Sequence, residues 1–182
     1  MFASIDFTNF WDEDDYYKES CTGKTLNNEM IVEAEQVLGY RLPNSYKEFM
    51  KKRNGRKLIK AFFVSVEKRY CVELGVFFSI SKEKQNSLFG EFSNGFWFEM
   101  WEYPSDIGVI IEDTISARHE MIYLDYRECE RNGEPKVCIC LQESNFETIH
   151  LANNFEEFVN NLKSEDEVIA LIRKSKENNA NR

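Results

Sequence analysis

The stretch that most constrains the fold is 106–127, in which two apolar runs flank a polar loop. The runs at 107–111 and 120–125 are rich in Ile, Val, Leu and Tyr, and such residues favour strands. The loop at 113–120 contains acids, two hydroxyls, an arginine and one of the chain's two histidines. So short a connection predicts that the two strands belong to a mostly antiparallel sheet.

Helical patterns precede these strands. Asn27 is a predicted N-cap for a helix over 28–38, and Gly39 supplies a left-handed stop. A second helix is predicted to begin at Leu42-Pro43, because the missing N–H of proline is harmless in the first helical turn. The Asn54-Gly55 turn ends this helix.

The opening segment combines aromatic residues with the acidic run 12–15, and its spacing suits either a short helix or a docked irregular arm. Further strands are predicted over 58–66, 70–80, 136–142 and 146–151, and a short helix over 96–103.

The C-terminal part is helical again. Asn153 or Asn154 is predicted to cap one helix, and the Ser164-x-x-Glu167 capping box begins another. In this last helix the inward side chains are expected to be Val168, Leu171 and Ile172. Helices, then strands, then helices predict an α+β fold: a twisted, mostly antiparallel sheet flanked by N-terminal and C-terminal helices. The expected division is one domain over 1–163, with a C-terminal helix and frayed tail at 164–182 packed on it.

Charge is distributed unevenly along the 182 residues. The formal net charge is −9, but the segment 41–60 carries +7, which leaves −16 for the rest. We interpret the basic segment as mainly the solvated face of a helix, with phosphate contact as the alternative. A strongly acidic surface repels nucleic acid and favours basic partners, so no nucleic-acid partner is expected.

The N-terminus lacks the basic segment and apolar core of a signal peptide, and no apolar run reaches membrane-spanning length. A cytoplasmic protein without a membrane partner is therefore expected. The five cysteines are odd in number and lack a C-x-x-C motif, so we expect reduced thiols.

The polar loop invites a catalytic or metal-binding interpretation. Ser116, His119 and Glu120 resemble a hydrolase triad in composition, but triads are assembled from separate loops, and these residues are crowded together. Asp113 and Asp125 accompany His119, yet no metal-binding motif is present. We therefore predict no enzyme activity, no metal and no cofactor. His119 and Arg118 are expected to hold the loop by hydrogen bonds to the backbone or to Asp113.

A protein-binding surface remains. Trp97, Trp101 and Tyr103 are side-chain types that anchor interfaces, although at least one tryptophan is expected to be core. The acidic residues that could steer a basic partner are Asp12, Glu13, Asp14, Asp15, Glu99, Glu102 and Asp106.

Several segments together resemble the SUKH superfamily (Smi/Knr-like). The first is Leu42-Pro43-x-x-Tyr46-x-x-Phe49 followed by Asn54-Gly55, with Trp11 about thirty residues upstream. The second runs from 107 through Asp113 and His119 to Asp125, and the matches continue at 133–137 and 152–158. The family's loop usually carries Pro and Gly where this chain has Ile115 and Arg118, which implies a stiffer or bulkier tip.

The resemblance implies a non-enzymatic α+β domain. Bacterial members of the superfamily commonly act as immunity proteins that bind and block toxins, often nucleases. The resemblance therefore implies a cognate toxin as partner, and the acidic charge is what a basic nuclease would require. The alternative is an interaction module in the assembly or regulation of a cell-surface or signalling complex, as in the yeast relative. The oligomeric state stays open.

Overall fold

The computed structural model describes residues 2, 5–65, 70–116 and 119–180, the last six of these without their side chains. Within these ranges the chain forms an α+β domain in which six helices accompany one antiparallel sheet of seven strands, which confirms the predicted fold class. The helices are α1 (Asp15–Ser20), α2 (Asn28–Leu38), α3 (Asn44–Lys52), α4 (Asn94–Met100), α5 (Phe155–Asn160) and α6 (Glu165–Ala180). The strands are β1 (Arg56–Lys57), β2 (Phe62–Ser65), β3 (Tyr70–Phe77), β4 (Gly108–Thr114), β5 (Glu120–Asp125), β6 (Lys136–Leu141) and β7 (Glu147–Ala152).

The sheet has the order β1-β3-β4-β5-β6-β7, with β2 also paired to β3. Strands β4 and β5 are antiparallel neighbours, as the sequence predicts, with Val109 opposite Leu124. A bulge interrupts β4 between Ile110 and Glu112. The buried Asn94 side chain brackets this bulge, since it donates to Ile110 O (2.9 Å) and accepts from Ile110 N (2.7 Å). It thereby satisfies backbone groups next to the break in the strand ladder.

Helix α2 has the predicted boundaries. Asn27 accepts a hydrogen bond from Met30 N at 2.8 Å, and Gly39 has a φ of 72° at the C-terminal end. Helix α3 begins at Asn44 rather than at Leu42, because Pro43 is in an extended conformation and precedes the first turn.

The Asn54-Gly55 turn links α3 to the sheet. Asn54 donates to Lys24 O and Ile80 O and accepts from Ile80 N at 2.8 Å, so one buried amide connects three segments. Gly55 has a φ of 82°, and a Cβ there would lie 2.6 Å from the Ser79 side chain. Both the left-handed backbone and the close approach of Ser79 therefore require glycine at this position.

The main core lies between the sheet and helices α3 and α5. The Phe49 ring lies 5.2 Å from Phe77 and 5.4 Å from Phe155. The N-terminal arm before α1 adds Trp11, whose ring lies 5.1 Å from Phe49. The opening segment thus forms both structures that its spacing allows, a docked arm followed by the short helix α1.

The docked arm also explains a strand that was predicted wrongly. The sequence favours one strand over 58–66, but the structure has β1 and β2 with a break between them. In the break, Leu58 forms an isolated bridge with Trp11, and Ile59 N donates to Phe10 O. Pairing with the arm therefore replaces pairing within the sheet. Val66 lies outside the described residues.

Helix α5 is capped by Asn154, which accepts from Glu157 N at 2.8 Å. The capping box of α6 is also present, with Ser164 N to Glu167 Oε2 at 2.8 Å and Glu167 N to Ser164 Oγ at 3.3 Å. The predicted inward face of α6 is wrong beyond its first turn. Val168 is buried, but Leu171 and Ile172 are 37% and 50% exposed, because α6 extends past the body of the domain.

None of the helices in the described ranges has both the length and the apolar composition needed to cross a bilayer. All five cysteines are free thiols.

Candidate protein-binding surface

The polar loop between β4 and β5 is held by hydrogen bonds among its own side chains and to a neighbouring segment. The hydroxyls of Thr114 and Ser116 lie 2.5 Å apart, and Thr114 also donates to Glu120 at 3.2 Å. The partner of His119 is one that the sequence does not indicate, since Nδ1 lies 2.9 Å from Gln142 Oε1. Arg118 lies outside the described residues. The arrangement gives these side chains a structural use.

The acids near His119 are engaged elsewhere. Asp113 accepts a hydrogen bond from Val76 N at 2.7 Å, which ties β4 to β3. Asp125 forms an ion pair with Arg127, with 2.6 Å between Oδ2 and Nη2. Burial opposes ionisation of Asp125, but the hydrogen bonds from Arg127 outweigh it and lower its pKa. Among the described residues, no group of three or more His, Cys, Asp or Glu side chains could hold a metal ion.

One titratable residue behaves in a way that the sequence does not reveal. Glu112 lies opposite Phe77 and Ile122 in the sheet and is fully buried against Tyr46. Burial raises the pKa of Glu112 well above its ordinary value, and the charge of Asp113 adds to the shift. Within the described residues, neither the Glu112 carboxyl nor the Tyr46 hydroxyl has a hydrogen-bond partner. The position of Glu112, in the core and away from any surface, gives it no access to a substrate.

The acidic run 12–15 makes several contacts within the chain. The Glu13 carboxylate lies 2.9 Å from Arg53 and 3.1 Å from the buried Arg56, so its charge is partly neutralised within the chain, although its side chain stays 67% exposed. A steering role for Glu13 stays a prediction. Asp12 accepts from Asp14 N, and Asp14 caps α1 by accepting from Tyr16 N at 2.8 Å. Glu13, Asp14 and Asp15 are all exposed, and Asp15 lies 3.9 Å from Lys18.

The basic segment 41–60 is correspondingly occupied. Lys47 pairs with Glu35 at 3.0 Å, and Lys60 pairs with Glu167 at 3.2 Å. The ammonium groups of Lys52 and Lys57 lie over the rings of Phe7 and Tyr17, at 5.8 and 5.6 Å. Part of the segment is thus the solvated helix face that the sequence indicates. Another part contacts the N-terminal arm and α1. These internal partners disfavour the phosphate-binding alternative.

Two of the three predicted aromatic anchors belong to the core. Trp97 and Tyr103 are buried, and Trp97 Nε1 donates to Phe92 O at 2.9 Å. The Trp97 ring packs against the rings of Phe92, Phe96 and Trp101 rather than facing solvent. The prediction that these two residues contact a partner is therefore wrong.

Trp101 is placed differently, since it follows the last turn of α4 and is half-buried. Its ring lies 5.7 Å from Trp97 on one side and 5.7 Å from His119 on the other. The preceding residue, Met100, is 70% exposed. Trp101 is therefore supported by the core while part of its ring stays accessible, as an interface anchor requires.

A second segment reaches the same place. The connection between β6 and β7 brings Glu143 to 3.8 Å from His119 Nδ1, and Phe146 packs 5.6 Å from Tyr103. We call this region the Trp101 surface. Its members are Met100, Trp101, Glu102, His119, Glu143 and Phe146.

Acidic charge at the Trp101 surface has few local counterions in the sequence. No Lys or Arg lies between Lys84 and Arg118, or between Lys136 and Lys163. The exposed acids in these two stretches include Glu99, Glu102, Asp106, Glu143 and Glu147. The resulting field attracts cations and basic partners.

The backbone at the Trp101 surface is strained. Glu102, Asn145 and Phe146 have φ values of 59°, 55° and 59°, although none of them is glycine. Such conformations cost on the order of 1–3 kcal/mol each and concentrate at functional sites. The composition and periodicity of 142–147 give no sign of this strain, so sequence reasoning missed Glu143 and Phe146.

Another concave surface lies between α2 and the segment after β3, lined by Met30, Val37 and Phe89. Its charges are already paired, Lys24 with Glu83 at 2.8 Å and Lys82 with Glu33 at 2.5 Å. It therefore lacks the unneutralised charge of the Trp101 surface.

Comparison with protein families gives one match. A family model described as the SMI1 / KNR4 family (SUKH-1) matches residues 25–161, which include α2 to α5 and all the strands described above. Trp11, α1 and α6 lie outside the matched residues. Searches of curated proteins and of solved structures give no significant match.

Proposed function

Because this chain belongs to the SMI1 / KNR4 (SUKH-1) family, we propose that it is a non-enzymatic immunity protein that binds and neutralises a bacterial toxin. We propose further that the toxin is basic, with a nuclease as the expected class, and that binding occurs in the cytoplasm. The family match is compatible with this role and leaves the partner open.

The observation that carries the proposal is the Trp101 surface. It combines a half-buried tryptophan with exposed acids, Glu102 and Glu143, on a rigid aromatic base. A nuclease active site is basic because it must hold phosphate, so an acidic surface of this kind can cover it in place of the substrate. Charge complementarity also accelerates association, to about 10⁸ per molar per second at low salt.

The test requires a toxin domain encoded beside this gene, and the absence of such a neighbour would count against the proposal. We expect co-expression of the full chain to rescue cells from that toxin, and the purified proteins to form a complex. Trp101→Ala should weaken binding by about 2 kcal/mol or more, because the anchor is lost from the centre of the interface. Thermal unfolding of the variant must show that the domain is still folded.

The acids are tested separately. Glu102→Gln combined with Glu143→Gln should lower the association rate and its dependence on salt, since both carboxylates contribute to steering. The matched control is Glu19→Gln with Glu29→Gln, two exposed acids of α1 and α2. Rescue that is unchanged in all variants would contradict the assignment to the Trp101 surface. Absence of any toxin binding would instead favour the interaction-module alternative.

A further inference from the structure

Helix α6 is an addition to the family domain, since the family match ends at residue 161 and α6 begins at Glu165. Its sixteen residues correspond to a length of about 24 Å. The first turn is attached to the body by the buried Val168 and by the Lys60–Glu167 ion pair at 3.2 Å. Beyond Val168, the described side chains at 169–174 are all exposed.

Apolar side chains lie on this exposed part. Ile169 and Leu171 are each 37% exposed and Ile172 is 50% exposed. Ile169 and Ile172 are three residues apart, so they lie on one face of the helix. Exposed apolar side chains grouped in this way are typical of a surface that another protein covers.

The charges of α6 indicate what covers it. Three acids, Glu165, Asp166 and Glu167, occupy the first turn, where the helix dipole also favours them. Arg173 and Lys174 lie in the middle of the helix, and its last turn contains no base, so the dipole does not explain their position. Asp166 and Arg173 are seven residues apart and flank the Ile169–Ile172 face on the same side.

We propose that α6 pairs in antiparallel orientation with α6 of a second copy of this chain. In a two-fold pair, Ile169 meets Ile172 of the second copy, and Asp166 meets Arg173 of the second copy, with each contact occurring twice. In a parallel pair the edge that carries Asp166 and Arg173 would lie on opposite sides of the interface in the two copies, so neither ion pair would form. The helix is therefore complementary to itself in one orientation only.

The dimer is weak. A few partly exposed side chains bury far less than the roughly 800 Å² per partner of a standard stable interface. Association is therefore reversible and requires a high protein concentration. Because α6 lies outside the family domain, dimerisation does not depend on the proposed toxin-binding function.

The test measures the mass of the full chain by sedimentation at concentrations from about 10 µM to about 500 µM. The wild-type mass should rise from 21.6 kDa towards twice this value. Ile172→Glu should keep the chain monomeric over the whole range. The matched control is Val37→Glu, which changes an exposed apolar residue of α2 and should leave the association unchanged.

Charge reversal tests the orientation. Asp166→Arg or Arg173→Asp alone places like charges opposite each other and should weaken the dimer at least tenfold. The double variant restores opposite charges across the two-fold axis and should recover association. A wild-type chain that stays monomeric would overturn the proposal. So would a dimer that tolerates Ile172→Glu, or single reversals that the double variant does not rescue.

Discussion

The buried Glu112 makes the stability of the domain depend on pH in a direction opposite to that of most carboxylates. In the folded state Glu112 lies against Phe77, Ile122 and Tyr46, where burial disfavours its charged form and raises its pKa. In the unfolded state the side chain is solvated and ionises near its ordinary value of 4.5. Between these two pKa values, the unfolded chain has lost a proton that the folded chain retains.

The sign follows from proton linkage. Where the unfolded state binds fewer protons, the free energy of unfolding falls as the pH rises. The contribution of Glu112 is therefore fully favourable below the unfolded pKa and is lost as the pH increases towards the folded pKa. Each pH unit in this window costs about 1.4 kcal/mol, and two units cost about 2.7 kcal/mol, a large part of the ~5–15 kcal/mol that stabilises a typical domain.

Glu112→Gln removes the ionisation and preserves the size of the side chain. We expect the difference in unfolding free energy between the variant and the wild type to shift in favour of the variant by up to about 1.4 kcal/mol per pH unit above pH 5. Urea unfolding followed by tryptophan fluorescence from pH 5 to pH 8 measures this difference. A pH-independent part of this difference in unfolding free energy reflects changes in packing and hydrogen bonding. Its slope against pH reflects the proton that Glu112 binds in the folded state.

The matched control is Glu19→Gln, which removes an exposed glutamate from α1. Its stability should follow the wild type in parallel across the same pH range. Parallel curves for Glu112→Gln and the wild type would refute the reasoning, because Glu112 would then titrate alike in the folded and unfolded states.

Three further substitutions test the core and the surface. Asn54→Ala removes the buried amide that joins Lys24 and Ile80, and urea unfolding should show a loss of about 3 kcal/mol from unsatisfied backbone groups. A loss below 1 kcal/mol would contradict this role. Trp97→Ala should lower stability by about 3–5 kcal/mol because it empties a fully buried site, whereas Trp101→Ala should cost clearly less in the same urea unfolding assay. Equal losses would place Trp101 in the core.

Local chemistry was enough to predict some elements. Helix caps join residues that are close in the sequence, so a short stretch of sequence is enough to predict them. This applies to the Asn27 cap, the Gly39 stop and the Ser164–Glu167 capping box. The β4–β5 pairing was similarly accessible, because two β-branched runs with a short connection have few alternatives.

Predictions from the sequence were wrong where segments distant in the sequence pair with the same backbone groups. The N-terminal arm takes the pairing of Leu58 and Ile59, which broke the predicted strand. The sequence does not distinguish the environments of Trp97 and Trp101. In the structure Trp97 lies within α4 and is buried, whereas Trp101 follows the end of α4 at Met100 and is partly accessible. Glu112 is buried because β4 is covered on both faces, with 109–112 all buried, and the sequence around a glutamate does not reveal this.

The positions of the family motif bear on where specificity lies. Tyr46 and Phe49 are buried against the sheet, and Asn54 and Gly55 close the turn beneath it. These residues build the scaffold, so a match to them identifies the fold and cannot select a partner. Partner choice must come from exposed residues, and the Trp101 surface offers an accessible ring and unneutralised acids outside the motif. Exchanging Trp101, Glu102 and Glu143 between relatives should therefore change which partner is bound while leaving the scaffold intact.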